Sequence, residues 1–244
     1  MTPARSALIA ATMALGGWAA GWLTAGAAVA ASGIGVCVLS GSGLGGLALL
    51  GTFFVSGSLL SPRGAGERRR RPVQVLANGW TAALGGLVIP AAPSLGWAIL
   101  AGGLAGAQAD TWATELGRRS RRPPRLITTG RPVTAGTSGG VTLLGTLGGG
   151  AGAAIIAVLA RAAHAPAPVT WITAAGVAGM LADSALGASV QARFACAVCG
   201  QTVETRRHCA SPAVHVRGLR WMTNDVVNVL GTGAGAAIAV LAAG

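Results

Sequence analysis

Seven apolar runs, each long enough to cross a lipid bilayer, leave this chain little room to fold as anything but membrane helices. A spanning helix needs about 17–25 residues, and runs of that kind lie near 7–30, 34–60, 73–91, 94–116, 138–160, 169–190 and 223–242. Within hydrocarbon every backbone N–H and C=O must be satisfied inside the segment, so these runs are predicted to be helical. The expected fold is therefore all-α: a polytopic transmembrane bundle of about seven helices, with residues 1–244 forming one integral membrane domain. Only a tenth of the residues are charged, against about a quarter in soluble domains. Ala28-Val29-Ala30 resembles a signal-peptide cleavage site, which would leave six helices. The run before it exceeds the roughly 7–15 apolar residues of a signal core.

Charge gives the orientation. There is no lysine; all 18 basic residues are arginine. With the N-terminus inside, Arg161 alone falls outside, and the other 17 arginines share one face. That asymmetry predicts a multi-pass protein of the cell (plasma) membrane with a cytoplasmic N-terminus. The net charge of +12 is then mainly a topology signal. Short juxtamembrane arginine clusters without interleaved aromatics argue against nucleic-acid binding, and the lipid bilayer itself is the expected partner. The lack of lysine excludes a Walker A loop. Gly148–Gly152 (GGGAG) looks like a dinucleotide loop, but it lies inside an apolar run and suits helix packing.

Of six carboxylates, Glu67 and Glu204 fall in inner loops and need no explanation. Asp110, Glu115, Asp183 and Asp225 fall within or at the ends of spans. An acid at a helix centre costs about 2.5–3.5 kcal/mol on insertion scales, so these four are the expected catalytic groups. Pairing with inner-loop arginines is the structural alternative. Asp183 is deepest, about 10 Å from the inner end of its span at 1.5 Å per residue. Asp110 and Glu115 point about 140° apart on a regular helix, so a straight helix gives them different tasks. Thr111, Asn224 and Asn228 accompany the acids.

The segment from Arg125 to Gly140 carries Arg131 and the run Gly136-Thr137-Ser138-Gly139 just ahead of the fifth span. Such a run offers backbone N–H groups and hydroxyls at a helix N-terminus, an anion cradle; an ordinary capped helix start is the plain alternative. Oxygen donors suit Mg²⁺, with Asp110, Asp183 and Asp225 as its expected ligands. Together these features point to metal-assisted phosphoryl transfer.

The inner loop at 191–222 holds Cys196-Ala197-Val198-Cys199-Gly200 and, further on, His208-Cys209. Two cysteines three apart form half a zinc site. The rest would come from Cys209 with either His208 or His215, adjacent His208 and Cys209 being an awkward pair for one ion. Free thiols are the alternative. A disulfide is not expected on a cytoplasmic face.

The runs ADTWATELG, PRLITTGRPVTAGTSGGVTLLGT, ADSALGA, CAVCG, HC and NDVVN, in that order, resemble a family of integral membrane proteins of long-unknown function. It includes the plant plastid phytyl-phosphate kinase and uncharacterised animal transmembrane proteins. The resemblance covers roughly 75–235. It implies a polyprenyl-phosphate kinase that transfers a phosphoryl group from a nucleoside triphosphate to an isoprenoid monophosphate. The motif residues are Asp110, Thr111, Glu115, Gly136, Thr137, Ser138, Gly139, Asp183, Asn224, Asp225 and Asn228. Ala210 departs from the glycine expected after the HC pair. The competing class is a transporter with membrane carboxylates that couple ions or protons. It would call for a midplane site and matched half-repeats, and the sequence shows no convincing repeat.

Overall fold

The computed structural model describes residues 2–61 and 69–241; Arg63, Glu67 and Arg68 lie outside the described residues. Among the described residues seven helices follow in order: α1 (Pro3–Ala19), α2 (Ala25–Leu60), α3 (Pro72–Val88), α4 (Pro93–Gly117), α5 (Leu143–Ala162), α6 (Val169–Ser189) and α7 (Asn224–Val240). The chain is thus the expected membrane helical bundle. Among the described residues α2, α5 and α6 are long and apolar enough to span by length and composition alone. Local chemistry sets the starts. Pro3, Pro72 and Pro93 occupy first turns, where a missing N–H costs nothing. Thr24, Thr142 and Thr223 cap α2, α5 and α7 by accepting from Ala27, Gly145 and Val226 N–H.

At 36 residues, α2 would be about 54 Å long if straight, far beyond a hydrocarbon core of about 30 Å. It is not straight. At Gly43 the backbone takes φ 62 and ψ −151, a conformation that glycine reaches without penalty. Both ends of α2 consequently meet Arg70. Thr24 N donates to Arg70 O at 3.1 Å, and a methyl built on Gly57 would lie 3.0 Å from the Arg70 guanidinium. The helix is a hairpin of two antiparallel limbs, 25–42 and 44–60. The first limb pairs with α1, since a methyl on Gly35 would lie 2.9 Å from Ala10 Cβ, and the second limb also passes α1, with Phe54 by Gly17 and Leu47 clustered with Ala10. Ala19 therefore lies at the Arg70 end, and Pro3 at the Gly43 end.

This corrects the expected map of residues 7–60. Two crossings become three membrane-length segments, and the N-terminus lies opposite the arginine-rich loops. Arg5 joins Arg161 on that face, since Gly45 beside the Gly43 turn meets Ala163 at the end of α5. The reason is plain in the residues. The α1–α2 turn, Ala20-Gly21-Trp22-Leu23-Thr24, has no charge, so hydropathy cannot see it, and Gly21 supplies its positive φ of 78.

Helix α4 is the axis of the bundle and packs against α2, α3, α5, α6 and α7. Residues Leu100 to Ala109 are buried throughout. Small residues allow this crowding: a methyl on Gly102 would lie 2.7 Å from Gly235 O, and one on Gly149 would lie 2.8 Å from Ala109 O. Gly148–Gly152 is thus a packing face of α5 on α4, with no nucleotide loop. Polar ties add to the packing: Trp80 Nε1 donates to Thr232 Oγ1 at 3.0 Å between α3 and α7, and Gln108 Nε2 to Ser56 Oγ at 2.9 Å between α4 and α2.

Two small sheets sit at the arginine-rich end. Strands β1 (Arg125–Leu126) and β2 (Gly140–Val141) pair antiparallel and close the α4–α5 loop. The α6–α7 loop folds as a four-stranded antiparallel sheet from β3 (Arg193–Cys196), β4 (Thr202–Val203), β5 (Arg207–His208) and β6 (Ser211–Arg217), in order β4-β3-β6-β5.

Candidate functional site

One cavity of about 1650 Å³ is lined by the arginine-rich end of the bundle and extends along the second limb of α2 as far as Leu47. Its floor is polar. Asp110 from α4 and Asp183 from α6 converge there with Asn78 from α3 and Asn228 from α7. Close helix approach at a glycine brings α7 up to α6 here. A methyl on Gly231 of α7 would stand 3.0 Å from Asp183 Cβ. Asp183 is within electrostatic reach of Asp110 and of Glu204 from the β4–β5 loop. Among the described residues no arginine pairs with either aspartate; the ion pairs are Arg71–Asp225 at 3.4 Å and Arg118–Glu115 at 3.3 Å. Pairing with the described inner-loop arginines does not account for Asp110 or Asp183.

The rim is basic, and the far wall is apolar. Thr111, Glu115, Arg69, Arg70, Arg118, Arg121 and Arg122 line the mouth. Glu115 accepts from Ser61 Oγ at 3.1 Å and from Arg118, so it ties α4 to the end of α2 while Asp110 faces the floor. The two acids do have separate surroundings, as their angular spacing requires. Arg70 lies over Phe53 and Phe54, 5.8 and 5.3 Å from the ring centres. Behind it, Ala10 and Met13 of α1 face Leu47, Leu50, Phe54 and Val55 of α2.

Every residue from Pro132 to Thr142 lines the cavity, including Gly136, Thr137, Ser138 and Gly139. They are not the start of α5, which is capped by Thr142. They form an irregular loop with positive φ at Gly136 and Gly139. The loop is held from below: Ser138 Oγ donates to Gln191 Oε1 at 2.6 Å, and Arg193 Nη2 donates to Ser138 O at 3.0 Å.

Two expected site residues stand elsewhere. Asp225 pairs with Arg71 and does not line the cavity, whereas Asn224 and Asn228 on the same helix do. One helical position rotates a side chain by about 100°, which turns Asp225 away from Asn224 and toward Arg71, while it stays about 60° from Asn228. Arg131 is exposed and away from the cavity, its backbone carbonyl engaged by Leu126 N in the β1–β2 clip. Conversely Glu204, set aside in the sequence, lines the cavity, and so do Asn78 and Gln74. A lone Asn in the apolar run Val75-Leu76-Ala77-Asn78-Gly79-Trp80 was the available signal.

The integral membrane protein family DUF92 matches residues 8–236. The chain belongs to the DUF92 family. It is 37% identical over 153 residues to an uncharacterised membrane protein of Methanocaldococcus jannaschii, covering 58% of this chain and 63% of that one. It is 34% identical over 197 residues to Protein PGR of Arabidopsis thaliana, covering 64% and 68%. An uncharacterised membrane protein of Synechocystis is 28% identical over 224 residues, covering 85% and 77%. The chain thus spans just under two thirds of the archaeal relative's length. No solved structure matches it.

This DUF92 chain carries a second cluster outside the cavity. One ligand atom from each of Cys196, Cys199, His208 and Cys209 lies within 4.8 Å of all the others. Cys199 Sγ is 3.4 Å and Cys209 Sγ 3.3 Å from His208 Nδ1. His215 is not in the cluster; its ring packs edge-on against Phe194 at 5.5 Å. Adjacent His208 and Cys209 do converge, because Cys209 and Ala210 form a two-residue hairpin turn with φ of 49 and 58. Ala210 therefore occupies a left-handed position where glycine would be unstrained, which explains the expected glycine. A hydrogen bond from the Cys199 backbone, aided by the His208 side chain, pulls Cys196 down to about 6. The side-chain hydrogen bond with Cys199 pushes Cys209 up to about 11.

Proposed function

We propose that this DUF92 protein is a membrane-embedded isoprenoid-phosphate kinase. It moves the γ-phosphoryl group of a nucleoside triphosphate onto the phosphate of an isoprenoid monophosphate. The bond between Pγ and the β–γ bridging oxygen breaks, and a bond from Pγ to an acceptor phosphate oxygen forms. The products are a nucleoside diphosphate and an isoprenoid diphosphate. The observation that carries this proposal is the single cavity that joins a carboxylate floor, an arginine rim and an apolar wall. A ligand with charged phosphates and a hydrocarbon tail matches all three.

The floor suits a hard divalent cation. Among the described residues no basic group pairs with Asp110 or Asp183, which stand beside two carboxamides, and oxygen donors of this kind hold Mg²⁺. When bound, Mg²⁺ supplies charge neutralisation on the phosphate oxygens. Asp110 and Asp183 would hold it, with Asn78 and Asn228 completing the polar floor. Arg69, Arg70, Arg118, Arg121 and Arg122 bind phosphate oxygens at the mouth, where guanidinium forks offer paired donors. The Gly136–Gly139 loop contributes N–H groups and the Thr137 hydroxyl. The apolar wall of α1 and α2 takes the isoprenoid chain and excludes water from the transfer.

The arginine-rich end faces the cytoplasm of a cell membrane by the charge asymmetry of the loops, where nucleoside triphosphate is available. Transport would require access from the opposite end. It would also call for matched half-repeats, which the sequence does not show, and the polar residues cluster toward one end of the spans, which favours the kinase. The test is direct. Full-length protein in lipid nanodiscs is incubated with γ-labelled nucleoside triphosphate, Mg²⁺ and phytyl or geranylgeranyl monophosphate, and the lipid products are separated. Label in the diphosphate, abolished by EDTA, is the expected result. No transfer to either acceptor with any of the four common nucleoside triphosphates would overturn the assignment.

A further inference from the structure

The α6–α7 loop is too small to hold itself together. Its 4-stranded sheet rests on a few buried residues, Ala192, Phe194, Cys196 and Met222. Units below about 40 residues normally need a metal, a disulfide or a partner. Among the described residues its cysteines are free thiols, and the four ligand atoms of the cluster already converge.

We propose that Cys196, Cys199, His208 and Cys209 bind one tetrahedral zinc ion, and that this site clamps the Ser138 loop against the cavity. Tetrahedral Zn²⁺ with its usual bond lengths requires ligand atoms about 3.6 Å apart for S and N and about 3.8 Å for two sulfurs. The observed 3.4 and 3.3 Å from the two sulfurs to His208 Nδ1, inside a cluster no wider than 4.8 Å, fit that shell. Two turns aim the ligands. In the first, Gly200 N donates to Cys196 O at 2.9 Å, which folds Cys199 back toward Cys196. In the second, the left-handed pair Cys209-Ala210 brings Cys209 back over His208. Coordination replaces the thiol protons, so each cysteine that binds as thiolate releases a proton.

The coupling runs along one strand. Strand β3 ends in the ligand Cys196 and begins at Arg193, whose guanidinium donates to Ser138 O; Gln191, just before it, accepts from Ser138 Oγ. Arg217 on the neighbouring strand β6 donates to Ala188 O at 2.6 Å, at the end of α6. Loss of the metal releases β3 and with it both bonds to Ser138. Gln191 and Arg193 are positioning residues: they act on the cavity through the loop. The proposal stands apart from the kinase assignment, since metal content and loop order are measured without substrate.

The experiment uses full-length protein purified in detergent without chelator. Metal analysis should give about one zinc per chain in the wild type and in Cys37→Ser, and a large loss in Cys199→Ser. Cobalt exchanged into the wild type should show the intense visible bands of a tetrahedral thiolate site. Hydrogen exchange over residues 136–142 should accelerate at least tenfold when zinc is stripped, with the middle of α5 unchanged. Arg193→Met should keep its zinc and yet lose the same protection. If Cys199→Ser fails to fold, the wild-type zinc content and cobalt spectrum still decide the site. Wild-type protein without zinc and without a cobalt spectrum overturns the site, and protection unchanged on metal removal overturns the clamp.

Discussion

Replacing Asp183 with Asn separates a metal-holding carboxylate from a structural one. The side chain keeps its shape and loses its charge. In the structure Asp183 lines the same cavity as Asp110 and Glu204, and among the described residues no arginine pairs with it. An uncompensated charge in such a place carries a desolvation penalty of several kcal/mol, only part of which relaxation and water recover. Metal-free Asp183→Asn should therefore be more stable than metal-free wild type, by about 1–3 kcal/mol on that basis. For a chain of this length each kcal/mol shifts the midpoint by about 2–4 °C. Saturating Mg²⁺ reverses the order. At a thousand times its dissociation constant a ligand stabilises by about 4.1 kcal/mol, and only the wild type receives that gain. The assay is a thermal melt of both proteins with and without Mg²⁺, alongside labelled phosphoryl transfer. The two stability orders should cross, and turnover of Asp183→Asn should fall by about three orders of magnitude or more, since charge placement carries most of this chemistry. A variant that melts lower without Mg²⁺, or that keeps full turnover, would refute the reasoning.

Asp225→Asn should behave differently. Its partner Arg71 is 57% exposed, so the change should cost about 0–1 kcal/mol and leave turnover within a few-fold; a collapse as deep as that of Asp183→Asn would return Asp225 to the site. Ala210→Gly relieves a φ of 58 and should raise stability by about 1 kcal/mol, read as a higher melting midpoint; an unchanged or lower midpoint counts against the strained turn. Membrane-impermeant maleimide should label Arg5→Cys and Arg161→Cys from one and the same side, the side from which wild-type protein gives no signal. Labelling of those two variants from opposite faces would defeat the hairpin topology of α2.

The bundle was legible because apolar length and arginine placement are properties of the chain itself. Asp110, Asp183, Asn228 and the Gly136–Gly139 run were legible for a related reason, since polar groups are costly in lipid and stand out there. What failed depended on three-dimensional direction. Asp225 differs from Asn224 and Asn228 only in its angle about α7, and no spacing rule decides which of them faces the cavity. The turn at Gly21 and the reversal at Gly43 lie in apolar sequence, so three segments read as two and the N-terminus moved to the other face. Asn78 and Glu204 were visible but unranked, because their neighbours come from helices and strands far away in sequence. His208 and Cys209 looked incompatible until the positive φ of Cys209 and Ala210 brought them together.

The second limb of α2 lines the cavity from Leu47 to Ser61, about 21 Å of helix at 1.5 Å per residue. Leu47, Leu50, Phe54 and Ser58 recur on it at intervals of three or four residues, so the wall is graduated in steps of roughly one helical turn. Such a wall can work as a measuring rod. A bulky side chain set at one graduation shortens the space above it and leaves the carboxylates at the base untouched. For the proposed kinase, preference for tail length would drift by single substitutions in α1 and α2, while head-group chemistry would stay under the separate control of α4, α6 and α7.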